Sequence, residues 1–130
     1  MEFGEIKESE LENLLGLYEQ LHESDLPRPE PSKIQRIWAN IQDSKEHLYL
    51  GAYVDRSLVS TCPLSLIPNL TRGCRPYGVI ENVVTDMAFR RRGIGKAIQK
   101  LALDEAWKRA CYKVMLLTGR MNESILRVRG

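Results

Sequence analysis

The run Arg90-Arg91-Arg92-Gly93-Ile94-Gly95-Lys96 gathers four cationic side chains and two glycines within seven residues. Guanidinium and ammonium groups attract phosphate, and glycine lets a backbone approach it closely or take conformations closed to other residues. The run stands between "VIENVVT", an apolar stretch suited to a strand, and "GIGKAIQKLALDEAWKRA". In the latter, Ile94, Ala97, Ile98, Leu101, Ala102 and Ala106 share one helical face. A loop at such a junction faces the unpaired N–H groups of a helix N-terminus, which favour anions. Two readings follow: a cradle for phosphate or pyrophosphate, or a basic turn that merely caps a helix. Neither standard nucleotide motif fits, because Ile98 stands where a dinucleotide fingerprint needs glycine and Ala97 follows Lys96 where a P-loop needs serine or threonine.

Glu81 is the second candidate for chemistry. It is an acid in an otherwise apolar strand nine residues before Arg90, and could take a proton from an amine directly or through water. The competing reading is a strand-end glutamate that binds an arginine or faces solvent. In a regular strand its neighbour Asn82 points to the opposite sheet face. His22 and His47 lack metal-ligand spacing, so no metal site is expected. Cys62, Cys74 and Cys111 are odd in number and irregularly spaced, which favours reduced thiols over a disulfide framework or a zinc motif. Tyr18, Tyr53 and Trp38 fall at amphipathic or strand positions and read as core residues.

The elements around these residues are legible from periodicity. "ESELENLLGLYEQLHES" places Leu11, Leu14, Leu15, Tyr18 and Leu21 on one helical face, with Ser9 and Glu12 in a capping-box pattern. The proline-rich "DLPRPEP" ends it, and Ser32 can cap a second helix carrying Ile34, Ile37, Trp38 and Ile41. "HLYLGAYV" and "SLVSTCPLSLI" read as antiparallel strands joined by a turn at "DRS". "IPNLTRGCRPYG" reads as a loop, "VIENVVT" as a fourth strand, and "YKVMLLT" as a fifth if "EFGEI" opens the sheet. The order predicts an α+β or mixed α/β fold around one central sheet, with a right-handed crossover through the third helix. At 130 residues the chain is expected to be a single domain, residues 1–130.

The span "IENVVTDMAFRRRGIGKAIQKLALDEA" resembles the core motif of the GCN5-related N-acetyltransferases: Arg or Gln, two residues, Gly, one residue, then Gly or Ala. Arg90 to Gly95 satisfies every specified position, and the strand, motif and helix follow in the family's order. The resemblance implies a mostly antiparallel sheet flanked by helices, and transfer of acetyl from acetyl-CoA to a primary amine in a ternary complex. It implies that the pyrophosphate rests on the loop around Arg90, Arg91, Arg92, Gly93, Ile94, Gly95 and Lys96, with Asn122 also on the cofactor side. It implies further that the pantetheine arm lies along Val83, Val84 and Thr85. Glu81 would serve as base, and the Val84 N–H as oxyanion donor. The first two helices and the following loop would shape the acceptor pocket. Arg72 and Arg75 would attract either an acidic acceptor or a CoA phosphate.

After the fifth strand the family continues with a helix that carries tyrosine seven residues after the asparagine, and then two more strands. Here Asn122 is followed at that distance by Arg129, and the sequence given ends at Gly130. The resemblance therefore implies a helix at "NESILRVRG", the absence of the final strands and of the tyrosine acid, and an open edge along Lys113 to Thr118. Such an edge invites pairing, so a homodimer through the fifth strand is expected. A noncatalytic acyl-CoA-binding homologue is the alternative. A basic nucleic-acid-binding module is a further one, disfavoured by a net charge of only +2 and by the lack of interleaved aromatics. No apolar run approaches the ~18 residues of a membrane span, and the N-terminus is acidic without an apolar segment, so a cytoplasmic location is expected. The acceptor itself is not legible.

Overall fold

The computed structural model describes residues 1–21 and 27–117, together with the backbone of 123–127. Strands β1 (Glu2–Glu5), β2 (His47–Val54), β3 (Ser57–Ile67), β4 (Tyr77–Ile80), β5 (Val84–Thr85), β6 (Lys113–Leu117) and β7 (Glu123–Arg127) form one sheet. Helices α1 (Leu11–Leu21), α2 (Pro31–Asp43) and α3 (Ile94–Lys108) pack on it. The strand order is β1-β2-β3-β4-β6-β7, with β5 paired to β3. Every pairing is antiparallel except that of β4 with β6, which α3 joins as a crossover.

Alternation in the strands divides the core between the two faces. Leu48, Leu50, Ala52, Cys62, Leu64, Ile80 and Val114 meet Ile94, Ile98, Ala102 and Ala106 of α3. On the other face Leu58 and Val84 meet Leu14 and Leu17 of α1 and Trp38 of α2. The β2–β3 turn places Asp55 and Arg56 at φ 49° and 67°, the two positive values that a tight hairpin matched to strand twist requires. Helix α2 begins at Pro31 with Glu30 as its N-cap, not at Ser32, because proline fixes the first-turn geometry. The box at the first helix is formed two residues earlier than expected, by Lys7 and Glu10 around a 3-10 turn.

Two expectations are corrected here. "VIENVVT" is not one strand: β4 stops at Ile80 and β5 begins at Val84, with Asn82 between them at φ 57°. Both pieces follow β3, but only β4 pairs with β6, so the sheet opens between β5 and the end of β6. The second correction concerns the C-terminal segment. Residues 123–127 form a strand, not a helix, and pair antiparallel with β6 from Leu117↔Glu123 to Lys113↔Arg127. The edge of β6 is therefore covered, which removes the reason given for a dimer through it. Thr118, Asn122, Arg129 and His22 lie outside the described residues.

Candidate active site

Strand β5 leads into α3 through a 3-10 turn, Met87–Phe89, that Asp86 caps by accepting the Ala88 N–H at 2.9 Å. The chain then turns sharply, with Arg91 at φ 65° and Gly93, the N-cap of α3, at φ 77°. The first bond of the helix is donated by Ala97 N–H to the Gly93 carbonyl at 3.1 Å. The N–H groups of Ile94, Gly95 and Lys96 precede that bond and have no intrahelical partner. Beside Gly93 a β-carbon would meet nothing within 4 Å, so the loop is open to a ligand; at Gly95 it would lie 3.5 Å from Thr85 Oγ1. Arg90 turns back, its Nε donating to the Thr85 carbonyl at 3.0 Å, and Arg92 lies 5.2 Å over the Phe89 ring. Arg91 and Lys96 are exposed. An unpaired helix terminus ringed by cations fits a pyrophosphate.

The adjoining strand has a used edge and a free edge. The Ser60 hydroxyl donates to the Val84 carbonyl at 3.0 Å, and Thr85 Oγ1 lies 2.8 Å from Ser60 Oγ. The N–H and C=O of one strand residue point the same way, so Val84 directs its amide toward β3. Val84 is thus not placed to serve as oxyanion donor. Thr85 directs its main chain away from β3, where its carbonyl accepts from Arg90 Nε. An amide-bearing arm could pair with this edge as a peptide would.

Glu81 is exposed at the break between β4 and β5, where strand alternation does not apply to it or to Asn82. Its charge reaches two tyrosines on the α1 side of the sheet. Burial, then Tyr49, then the neighbouring Cys62 and Glu81 hold the Tyr18 phenol well above the usual range, with Thr61 opposing. Tyr49 is raised as well, first by burial and then by Glu81. Thr61 donates its proton to the Leu50 carbonyl at 3.1 Å, and the buried Tyr18 hydroxyl finds no hydrogen-bond partner among the described residues. Tyr49 also packs edge-on to Trp38, with ring centroids 5.4 Å apart. Tyr18, Tyr49 and Trp38 line a largely apolar cavity of about 270 Å³ between α1 and α2.

Arg75 donates to the carbonyls of Ala110 at 3.0 Å and Cys111 at 3.1 Å, just beyond the C-terminus of α3. Arg72 lies 6.0 Å over the Tyr112 ring in the same region. Both arginines are therefore at the opposite end of α3 from the loop, and are not placed to hold a CoA phosphate there. His47 Nδ1 lies 3.0 Å from Ser65 Oγ at the start of β2, away from the open end of the sheet. Among the described residues no group of three or more potential ligands could hold a metal, and no helix is long and apolar enough to cross a membrane.

Residues 11–127 match the model of the acetyltransferase (GNAT) family. The chain belongs to the GNAT acetyltransferase family. It is an acetyl-CoA-dependent N-acetyltransferase, with acetyl-CoA as its acyl donor. It is similar to glucosamine 6-phosphate N-acetyltransferase of Trypanosoma brucei brucei, with 31% identity over 121 residues, 89% of this chain and 78% of that protein. A solved structure from Agrobacterium tumefaciens str. C58, described as a candidate acetyltransferase, superposes with a TM-score of 0.86 at 37% identity, covering 94% of this chain and 84% of that one. Glucosamine-6-phosphate N-acetyltransferase from Arabidopsis thaliana shares the fold, with a TM-score of 0.81 at 21% identity over 99% and 97% of the two chains.

The GNAT loop was visible in the sequence because its glycines and cations are contiguous. Tyr49 was not singled out. Its signal lies in the alternation of "HLYLGAYV", which puts Tyr49 on the same face as Gly51 and Tyr53, opposite Leu48 and Leu50.

Proposed function

We propose that this enzyme acetylates the amino group of glucosamine 6-phosphate at the opening between β5 and β6. The observation that carries the acceptor is the similarity to the Trypanosoma brucei brucei enzyme of that name, which extends over 89% of this chain. In this reading the unpaired amides of Ile94, Gly95 and Lys96, with the cations of Arg91, Arg92 and Lys96, hold the CoA pyrophosphate. The free edge of Val83 and Thr85 pairs with the pantetheine arm and brings the thioester to Glu81.

Glu81 accepts a proton from the bound ammonium, leaving a lone pair on nitrogen. That nitrogen attacks the thioester carbonyl carbon, and the C=O π electrons move to oxygen. In this reading the Val83 N–H donates to the oxyanion in place of Val84. Collapse breaks the C–S bond and expels the CoA thiolate, while the second proton of the attacking nitrogen passes through water to that thiolate, leaving the neutral amide and CoA thiol.

Thiol release from acetyl-CoA, followed across a panel of glucosamine 6-phosphate, glucosamine, polyamines, aminoglycosides and peptide N-termini, tests the reading. Glucosamine 6-phosphate is expected to give the highest kcat/KM, well above glucosamine. Turnover of another amine with none of glucosamine 6-phosphate contradicts it.

A further inference from the structure

The 3-10 turn Met87–Phe89 is held from two sides. Its N–H groups at Met87 and Ala88 come before the first hydrogen bond of the turn, which Phe89 N–H donates to the Asp86 carbonyl at 2.8 Å. Ala88 N–H finds Asp86 Oδ1 within the turn itself, at 2.9 Å. Met87 N–H instead donates to Gln20 Oε1 of α1, a residue 67 positions away in the chain, also at 2.9 Å. Local packing does not require that bond, because Met87 and Ala88 are exposed and water can take the Met87 N–H in place of Gln20. Helix α1, by contrast, is a fixed reference: Leu14 and Leu17 are 1% and 3% exposed and pack with Val84 of β5. Gln20 follows Leu17 by three residues and so lies on the same side of the helix.

The loop after the turn has few anchors of its own. Arg90, Arg91, Arg92 and Gly93 are all exposed, and the span ends at Ile94, which the core holds. Its far end is therefore fixed by α3 and its near end by the turn. Arg90, the first loop residue, hangs from the residue that Gln20 holds, its N–H donating to the Met87 carbonyl at 3.5 Å. We propose that Gln20 is a positioning residue for acetyl-CoA: from α1 it fixes the turn that starts the Arg90–Lys96 loop, so the loop is already shaped for the pyrophosphate when the cofactor arrives. A loop ordered beforehand loses less freedom on binding, which strengthens affinity without any contact to the ligand. The inference rests on the reading of this loop as the pyrophosphate site, and on neither the acceptor nor Glu81.

S-acetylpantetheine carries the same thioester and amide arm without the pyrophosphate and nucleotide. The ratio of kcat/KM for acetyl-CoA to that for S-acetylpantetheine therefore isolates the loop, with the amine being the one from the panel that wild type turns over fastest. In Gln20→Leu the value for acetyl-CoA is expected to fall about three- to tenfold, the effect of one lost hydrogen bond, while that for S-acetylpantetheine changes less than twofold. Gln20→Ala should give the same pattern, since both variants lack the accepting oxygen. A general loss of structure would weaken both donors alike. A wild type with no preference for acetyl-CoA over S-acetylpantetheine would refute the pyrophosphate reading of the loop, and this inference with it. A wild type that has the preference, with the ratio unchanged in either variant, would overturn the inference alone.

Discussion

Thr85 Oγ1 lies 2.8 Å from Ser60 Oγ, whose own proton goes to the Val84 carbonyl at 3.0 Å. Thr85 is thus the donor to Ser60, and the two hydroxyls tie the two-residue strand β5 to β3. The same Thr85 oxygen sits 3.5 Å from where a side chain at Gly95 would begin. One cluster therefore sets both the free edge of β5 and the start of α3. Ser60→Ala should cost about 1–3 kcal/mol, since it strands a buried donor and acceptor. Urea unfolding checks the stability, and a weaker Kd for acetyl-CoA, measured by calorimetry, checks the loss of edge geometry.

The loop makes a separate prediction. Acetyl-CoA at a hundred times its Kd should stabilise the enzyme by about 2.7 kcal/mol, seen as a rise in melting temperature. Gly93→Asp combined with Gly95→Asp should abolish the rise, because two carboxylates would occupy the approach of the pyrophosphate. The variant also strains position 93, where φ is 77°. Its melting temperature without ligand therefore gives the baseline for comparison.

At the other end of α3, Ala110 takes φ 65°, while Cys111 N–H bonds to the Ala106 carbonyl at 3.1 Å and Ala110 N–H to that of Trp107 at 3.1 Å. This is the glycine position of a helix C-terminal motif occupied by alanine. Ala110→Gly should stabilise the protein by about 0.5–1 kcal/mol by relieving the left-handed strain. The KM for acetyl-CoA should not change, because the loop lies at the opposite end of the helix.

Burial pushes the Cys62 thiol from 9.0 up to about 12. The folded protein then holds this proton more tightly than the unfolded chain. The associated stability is complete below pH 9 and is lost as pH rises toward about 12. The decline from one such group approaches about 1.4 kcal/mol per pH unit. Denaturant titrations in this window should show the decline, and Cys62→Ala should make it shallower. Iodoacetamide on the native protein should modify exposed Cys74 ahead of buried Cys62 and Cys111.

The helices and the β2–β3 hairpin could be read from sequence because they rest on local periodicity and local turns. The loop at Arg90–Lys96 could be read because its chemistry is contiguous. The break at Glu81–Val83 was hidden inside a continuous apolar pattern, without the glycine or proline that usually marks one. Asn82 was its only signal, as asparagine tolerates positive φ better than most residues. The strand at 123–127 depends on folding back onto β6 from Leu117↔Glu123 to Lys113↔Arg127, and the five-residue run "ESILR" is too short for its periodicity to announce it. That Tyr18 and Tyr49 line one cavity likewise depends on how α1 crosses β2 and β3, which periodicity does not fix.

The most direct test of the account is Glu81→Gln, with kcat/KM for the amine and Kd for acetyl-CoA measured on the same preparation. Glutamine keeps the shape and removes the base. The account predicts kcat/KM reduced by about a hundredfold or more, the usual contribution of a positioned acid or base, with Kd unchanged. Activity within twofold of wild type would contradict the placement of transfer at the β4–β5 break.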